Sequence, residues 1–224
     1  MLSDREIRKL LDSIPSGVTT VVVTKTRNDE EIERVYELGH RIFGENRVQE
    51  LVQKQERLPG DIEWHMVGHL QSNKVKYIAR FISMIHSIDS PKLLRVVDKE
   101  AEKQGRVIPC LLQVHIASEE TKFGFDGAGI REFLQSGETA RMEHVRICGL
   151  MGMASFTGDA GKIRSEFRYL KELFEDIKHA ESLASGDFTV LSMGMSGDYL
   201  TAIEEGSTMI RIGTLVFGPR PGTA

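Results

Sequence analysis

The sequence contains only two cysteines among its 224 residues, Cys110 and Cys148, and each lies inside an apolar run. Two isolated thiols exclude a disulfide-rich scaffold, and their apolar neighbours favour buried thiols in a reducing compartment. Neither sign of charge dominates, since 29 basic residues face 33 acidic ones. The resulting net charge of −4 gives no indication of a nucleic-acid-binding surface.

Long apolar stretches are also absent. No segment approaches the roughly 20 apolar residues that a membrane span requires. The first eleven residues, MLSDREIRKLL, are charged and lack the apolar core of a secretion signal. We therefore expect a cytoplasmic protein that binds neither membrane nor nucleic acid. Linkers and low-complexity segments are missing too, so residues 1–224 are expected to form a single domain.

Apolar, strand-like runs alternate with helix-like segments along the whole chain. Ser3 to Leu11 predicts an additional N-terminal helix that plugs or flanks the main fold. The predicted strands are Thr19–Thr24, Arg41–Phe43, Ile62–Val67, Met84–Ile88, Val107–Ala117, Val145–Met151, Phe188–Met193 and Thr208–Ile212. Eight such units in a chain of this length predict a (β/α)8 TIM barrel, a fold that typically needs about 250 residues. An open doubly wound sheet is the alternative, but no GxGxxG motif follows the first strand.

The first predicted strand leads directly to a lysine. Lys25 follows the β-branched run 19–24 and precedes Asn28 and Glu31, whose spacing predicts a capping box at a helix start. Ligands of α/β proteins bind where the carboxyl ends of parallel strands meet. A lysine amine in a partly dry pocket at such a position acts as a nucleophile toward aldehydes. For one lysine considered alone, an ordinary surface position is the competing interpretation.

The last two strand ends carry features of a phosphate site. Residues 195–197 are expected to open a helix, so that free N–H groups and the Ser196 hydroxyl converge on an anion. Arg211 and Thr214 flank Gly213, which allows a phosphate to approach the backbone closely. The alternative is that the glycines serve turns and that Ser196 is an ordinary helix cap. A lysine across the barrel mouth from this site fits an aldehyde-bearing phosphate ester, either pyridoxal 5′-phosphate or a phosphosugar.

Other polar residues near the predicted rim receive simpler interpretations. His65 and His69 are expected to form hydrogen bonds within the third loop rather than to bind zinc. Lys122 lies in the KFGF segment after the fifth strand and is a candidate rim residue. Lys54 is expected to lie on a solvated helix face, as charged helix residues commonly do.

Eight sequence blocks together resemble a known family. They are VTKT (23–26), FGENRVQE (43–50), WHMVGHLQSNK (64–74), IHSIDS (85–90), KFGF (122–125), GLMGMAS (149–155), LSMGMSGDY (191–199) and RIGTLVFGPR (211–220). In this order they resemble the pyridoxal phosphate homeostasis protein family, also called YggS or PROSC. The resemblance implies a barrel like the N-terminal domain of bacterial alanine racemase.

The resemblance also assigns roles to individual positions. Lys25 occupies the place of the lysine that holds pyridoxal 5′-phosphate as an internal aldimine. Arg211 matches the arginine that faces the pyridine nitrogen, and Asn46 lies near the cofactor ring. The implied phosphate contacts are Ser196, Gly213 and Thr214. No metal is implied.

These implied roles favour a binding protein over an enzyme. An arginine beside the pyridine nitrogen disfavours protonation of that nitrogen and so weakens carbanion chemistry. Racemisation also needs acid/base groups on both faces of the substrate. In the racemases an added C-terminal domain supplies the second base, whereas this sequence stops at Ala224. The alternative is that a dimer partner contributes this base in trans.

We therefore expect a protein that stores or delivers pyridoxal 5′-phosphate in vitamin B6 homeostasis. Its expected partners are the cofactor and pyridoxal phosphate-dependent apoenzymes. A monomer is expected, with a dimer as the alternative. Two enzymatic hypotheses stand beside this one: a weak amino-acid racemase or transaminase that uses the same cofactor, and a Schiff-base aldolase acting on a phosphosugar.

Overall fold

A computed structural model describes residues 2–117, 123–180 and 187–219 of the chain. In chain order its elements are α1 (Asp4–Asp12), β1 (Thr19–Val23), α2 (Asp29–Glu37), β2 (Ile42–Glu45), α3 (Val48–Arg57), β3 (Glu63–Met66), α4 (Val75–Ile78), β4 (Met84–Ile88), α5 (Pro91–Lys103), β5 (Ile108–Val114), α6 (Gly127–Gln135), β6 (Val145–Gly152), α7 (Ala160–His179), β7 (Val190–Ser192), α8 (Tyr199–Glu204), β8 (Met209–Ile212) and α9 (Thr214–Phe217). Short 3-10 turns occur at Ser72–Lys74 and Thr139–Arg141.

The eight strands form a closed parallel barrel in chain order. Closure occurs where β8 pairs with β1, in the register Val21 with Arg211 and Val22 with Ile212. The predicted (β/α)8 barrel is therefore confirmed, and the open doubly wound alternative is wrong. Among the described residues, no helix is both long enough and apolar enough to cross a membrane.

Local sequence signals fix where several helices begin. Ser3 and Glu6 form a reciprocal capping box at α1, and Asn28 and Glu31 form another at α2. Each box satisfies backbone N–H groups that the first helical turn leaves without partners. The predicted N-terminal helix is thus confirmed at α1, whose buried Ile7 belongs to the apolar core of the barrel.

Five of the strands, β1, β3, β5, β7 and β8, are shorter than the apolar runs that predicted them. β7 covers only Val190–Ser192, and a single register pair, Ser192 with Met209, joins it to β8. An apolar run continues into buried loop residues, whereas a strand ends where the hydrogen-bonded ladder ends. The two cysteines are free and buried, as the sequence indicated.

Candidate functional site

The predicted site residues all lie in or directly after four strands that are neighbours in the barrel. β7, β8, β1 and β2 are consecutive around its circumference. Lys25 follows β1, Arg211 lies within β8, and the remaining residues are Asn46 after β2, Ser196 after β7, and Gly213 and Thr214 after β8. The expectation that Lys25 stands across the mouth from the phosphate loops is wrong. Closure of the barrel places the last strand beside the first, so the lysine and these loops lie on the same side.

Lys25 lies in a tight turn between β1 and α2. Its residue is half-buried, and it makes a contact with a neighbouring group, so it is not a free surface lysine. The next residue, Thr26, has a φ of 63°, in the left-handed region that β-branched residues rarely adopt. The Thr26 N–H donates to Glu50 Oε1 at 2.6 Å. The turn that presents the lysine is therefore strained and held by a side chain of α3.

A second lysine, Lys54 of α3, lies beneath this turn. Its Nζ donates to the Thr24 carbonyl oxygen at 2.7 Å, to Glu45 Oε1 at 2.6 Å and to Glu50 Oε1 at 2.7 Å. With 2% of its surface exposed, Lys54 is buried, and the expectation of a solvated position is wrong. Thr24 and Thr26 flank Lys25, so the Lys54 cluster, defined as Thr24, Glu45, Glu50 and Lys54, fixes the backbone on both sides of it.

The sequence contains a signal that could have found Lys54. Val48 and Leu51 are buried on α3, and Leu58 is buried just beyond its end. A helical repeat of 3.6 residues places position 54 on the same stripe. A lysine on an apolar stripe needs a carboxylate partner, and Glu50 stands four residues before it.

Glu45 of the Lys54 cluster is completely buried, with none of its surface exposed. Its Oε1 accepts from Lys54 and also from Thr24 Oγ1, at 2.5 Å. Its Oε2 has no hydrogen-bond partner in the described structure. Burial raises the pKa of the Glu45 carboxyl, although the Lys54 ammonium opposes this change. One ammonium thus compensates two carboxylates.

On the other side of Lys25, two backbone N–H groups converge on one oxygen atom. The N–H groups of Gly213 and Leu215 donate to Ser196 Oγ, at 3.2 and 3.3 Å. A Cβ added to Gly213 would lie 2.8 Å from the Val23 carbonyl oxygen, so a larger residue cannot occupy this position without displacing backbone. These groups join the loops after β7 and β8 to the end of β1.

The helix after β7 differs from the sequence expectation. The sequence predicts that residues 195–197 open this helix with free N–H groups, but α8 begins at Tyr199. The Met195 N–H donates to Asp198 Oδ1 at 2.5 Å and is therefore not free. Burial raises the pKa of Asp198. The N–H groups that converge here belong instead to Gly213, just before α9, and to Leu215 within it, and α9 is a short helix without a sequence prediction.

Arg211 is almost completely buried inside the barrel, with 5% of its surface exposed. Its Nη1 donates to Ser192 Oγ at 2.5 Å, and its Nη2 donates to the Gly152 carbonyl oxygen at 3.0 Å. Both acceptors are neutral. Burial lowers the pKa of Arg211 to about 10, and the negative charge of Asp198 opposes this change. The guanidinium therefore remains cationic at neutral pH with no direct carboxylate acceptor in these two bonds.

Asn46 follows β2 on the opposite flank of Lys25 from Gly213. It is half-buried, and Gly68 packs directly against its backbone. A Cβ at Gly68 would lie 2.5 Å from the Asn46 carbonyl oxygen, so only glycine fits at this contact. The end of β3 therefore supports the loop that presents Asn46.

The sequence predicted that the two histidines near β3 form hydrogen bonds within their own loop, and this prediction is wrong. His65 Nδ1 lies 3.0 Å from His86 Nε2 of β4, inside the barrel. His69 Nδ1 lies 3.1 Å from Asp89 Oδ2, and its ring stacks on Phe123. Lys122, the other candidate rim residue, lies outside the described residues.

Comparisons with known proteins agree with this architecture. Residues 4–221 match the model of the alanine racemase N-terminal domain. A pyridoxal phosphate homeostasis protein of Aquifex aeolicus is 39% identical over 198 residues, which cover 88% of this chain and 85% of the relative. The solved structure of PipY from Synechococcus elongatus without pyridoxal phosphate is similar at a TM-score of 0.89 and 35% identity, covering 96% of this chain and 99% of PipY. The PipY structure with pyridoxal phosphate bound gives a TM-score of 0.86 at 34% identity, with the same coverage.

Proposed function

The chain belongs to the pyridoxal phosphate homeostasis protein family, and from this premise we propose that it binds pyridoxal 5′-phosphate covalently at Lys25 and stores or delivers the cofactor. The observation that carries the proposal is the position of Lys25. It lies on a fixed turn between the loop of Asn46 and the loops of Ser196 and Gly213 after β7 and β8. The PLP-bound state of the related PipY supports the choice of ligand.

The residues present fit the phosphate end of this cofactor. The N–H groups of Gly213 and Leu215 both point at Ser196 Oγ. A phosphate oxygen placed near Ser196 would therefore find the hydrogen-bond donors that an anion requires. The close approach of Gly213 to Val23 leaves the backbone rather than a side chain facing this space. We assign the phosphate to Ser196, Gly213 and Thr214.

The covalent bond would form at the aldehyde end of the cofactor. Lys25 Nζ would hold the cofactor through a C=N double bond to its aldehyde carbon, and the carbonyl oxygen would be released as water. When bound, the cofactor supplies this aldehyde and an electron-withdrawing ring. The Lys54 cluster orients the lysine by bonding the residues on both sides of it. Asn46 would lie beside the ring.

Arg211 argues for storage or delivery rather than catalysis. A guanidinium facing the pyridine nitrogen donates to it and, by like-charge repulsion, keeps it from taking up a proton. An unprotonated ring withdraws electrons poorly, so substrate carbanions are stabilised weakly. The neutral acceptors of Arg211 leave its positive charge undiminished. We propose pyridoxal phosphate-dependent apoenzymes as the recipients of the cofactor.

Absorbance spectroscopy of the Lys25→Ala variant tests the covalent bond. The unmodified protein saturated with pyridoxal 5′-phosphate is expected to show a visible imine band, and Lys25→Ala is expected to lose it. Lys99→Ala, which removes an exposed lysine of α5, provides the matched control and keeps the band. Borohydride reduction followed by a tryptic map locates the modified residue. A colourless unmodified protein, or a tag on another lysine, contradicts the proposal.

Storage and catalysis are separated by two further measurements. Loaded protein mixed with a pyridoxal phosphate-dependent apoenzyme is expected to restore its activity. Exchange of the α-proton of amino acids with solvent deuterium is expected to stay at the rate of free pyridoxal phosphate. Exchange well above that rate would identify an enzyme instead.

A further inference from the structure

Four buried polar side chains form a continuous chain of hydrogen bonds through the barrel interior. Arg211 Nη1 bonds Ser192 Oγ at 2.5 Å, Ser192 Oγ lies 3.2 Å from His86 Nδ1, and His86 Nε2 lies 3.0 Å from His65 Nδ1. None of the four is more than 5% exposed. They come from β8, β7, β4 and β3. Since β4 and β7 are not neighbours in the barrel, the bond between His86 and Ser192 crosses its interior.

The direction of each bond follows from the chemistry of its donors. A guanidinium can only donate, so Ser192 Oγ accepts from Arg211. The hydroxyl proton of Ser192 then needs an acceptor, and His86 Nδ1 is the group that the described structure places within reach. A buried hydroxyl proton without an acceptor destabilises the folded state. His86 Nδ1 is therefore the acceptor and its Nε2 carries the proton, which it donates to His65 Nδ1. Both imidazoles are in the Nε2–H tautomer.

This order requires neutral imidazoles, and burial provides them. Burial lowers the pKa of His65 to about 4. Burial lowers the pKa of His86 well below its ordinary value, and the charge of Arg211 acts in the same direction. At neutral pH the positive charge of the chain is thus confined to its Arg211 end. A carboxylate in place of Ser192 would hold the guanidinium equally well, but it would offset that charge.

We propose that Ser192, His86 and His65 are positioning residues that fix the Arg211 guanidinium against the pyridine nitrogen of the bound cofactor without reducing its charge. This inference rests on the proposed binding of pyridoxal 5′-phosphate. It adds a specific role for three residues that the proposed function leaves without one. Without the Ser192 hydroxyl, Arg211 would lose the hydrogen bond that fixes one of its two terminal nitrogens. The guanidinium would then no longer be held against the pyridine nitrogen, which would be free to take up a proton.

The direction of the chain can be tested on the protein without cofactor. Long-range ¹H–¹⁵N correlation spectra of histidine-labelled protein report which ring nitrogen carries the proton. We expect Nε2–H for both His65 and His86 at neutral pH. An Nδ1–H signal from His86 would reverse the chain and overturn the proposal. This measurement needs no variant, so it stands even if a substitution prevents folding.

The role in binding is tested by Ser192→Ala against Ser87→Ala. Ser87 is also a buried serine, its Oγ has no hydrogen-bond partner in the described residues, and it lies next to His86 in β4. We expect Ser192→Ala to weaken the affinity for pyridoxal 5′-phosphate about tenfold, the effect of losing one well-placed charge-assisted bond. The ¹⁵N resonance of the labelled pyridine nitrogen of the bound cofactor is expected to move toward the chemical shift of a protonated pyridine. Ser87→Ala should change neither, and Ser192→Thr, which keeps the hydroxyl, should restore both.

Each outcome bears on a different claim. If the unmodified protein forms no imine band with pyridoxal 5′-phosphate, the proposed function fails and this inference fails with it. If the band forms normally and Ser192→Ala lowers only the melting temperature, with affinity and ring-nitrogen resonance equal to those of Ser87→Ala, the proposed function stands and the positioning role is refuted.

Discussion

Replacement of Lys54 by methionine is expected to destabilise the protein far more than replacement of any exposed lysine. Methionine keeps most of the apolar stem but removes the ammonium that bonds the Thr24 carbonyl and two carboxylates. Glu45 would then carry a charge in a position with none of its surface exposed. Breaking a buried ion pair from one side costs about 3–5 kcal/mol, because the remaining charge has no compensation.

The loss of stability caused by Lys54→Met depends on pH, and the structure determines the direction of this dependence. Burial raises the folded-state pKa of Glu45 above the ordinary 4.5. A carboxyl of this kind binds its proton more tightly in the folded state, so stability falls as pH rises through the folded-state pKa. Loss of Lys54 removes the cation that opposes this shift and so raises the pKa further. Lys54→Met is therefore expected to cost less at pH 5 than at pH 8.

Urea unfolding at pH 5 and pH 8 measures both effects. For a chain of this length the expected loss corresponds to about 6–20 °C in melting temperature. Lys99→Met on the exposed face of α5 is the matched control and should stay within about 0.5 kcal/mol of the unmodified protein. Adding Glu45→Gln to Lys54→Met should recover part of the loss, since it removes the unpaired charge. A loss below about 1 kcal/mol at pH 8, or one independent of pH, would refute the reasoning.

Three further outcomes are expected. Gly213→Ala should weaken binding of pyridoxal 5′-phosphate at least tenfold in an absorbance titration, because its Cβ would lie 2.8 Å from a carbonyl oxygen; Gly60→Ala, with open space around it, should leave affinity unchanged, and equal affinities would contradict the tight contact. Thr26→Asn should raise the free energy of unfolding by about 0.5–1 kcal/mol, since asparagine tolerates a φ of 63° better than threonine; a loss in urea unfolding would show that the turn is not strained. The thiols of Cys110 and Cys148 should resist a thiol reagent until the protein unfolds, because burial raises the pKa of both, and rapid labelling of the native protein would disprove this.

The barrel and the position of Lys25 at the end of its first strand are visible in the sequence because local patterns encode them. The β-branched run before Lys25 and the capping box of Asn28 and Glu31 specify strand, turn and helix within 13 residues of chain. Periodicity of this kind needs no knowledge of distant neighbours. The strand ends were less well predicted, because a ladder ends where a partner strand ends.

The hydrogen bonds inside the barrel could not be predicted, because they join residues that are far apart in the sequence. His86 and Ser192 are 106 residues apart, and the bond between them depends on the register of a closed barrel. The burial of Lys54 was not predicted for a different reason. Its charge favoured a solvated position, although its place in the sequence lies on an apolar stripe of α3. The side-by-side arrangement of the β1 and β8 loops also requires closure, which a list of strand ends does not contain.

The pairing of β8 with β1 has a consequence for how the proposed site is assembled. Lys25 and Gly213 are far apart in the sequence, and closure of the barrel brings the strands that carry them side by side. Under the proposed function, a chain whose barrel is still open would offer the vitamin an amine but no anchor for its phosphate. Capture of the cofactor would therefore follow closure of the barrel, and unfolded chains would not sequester it.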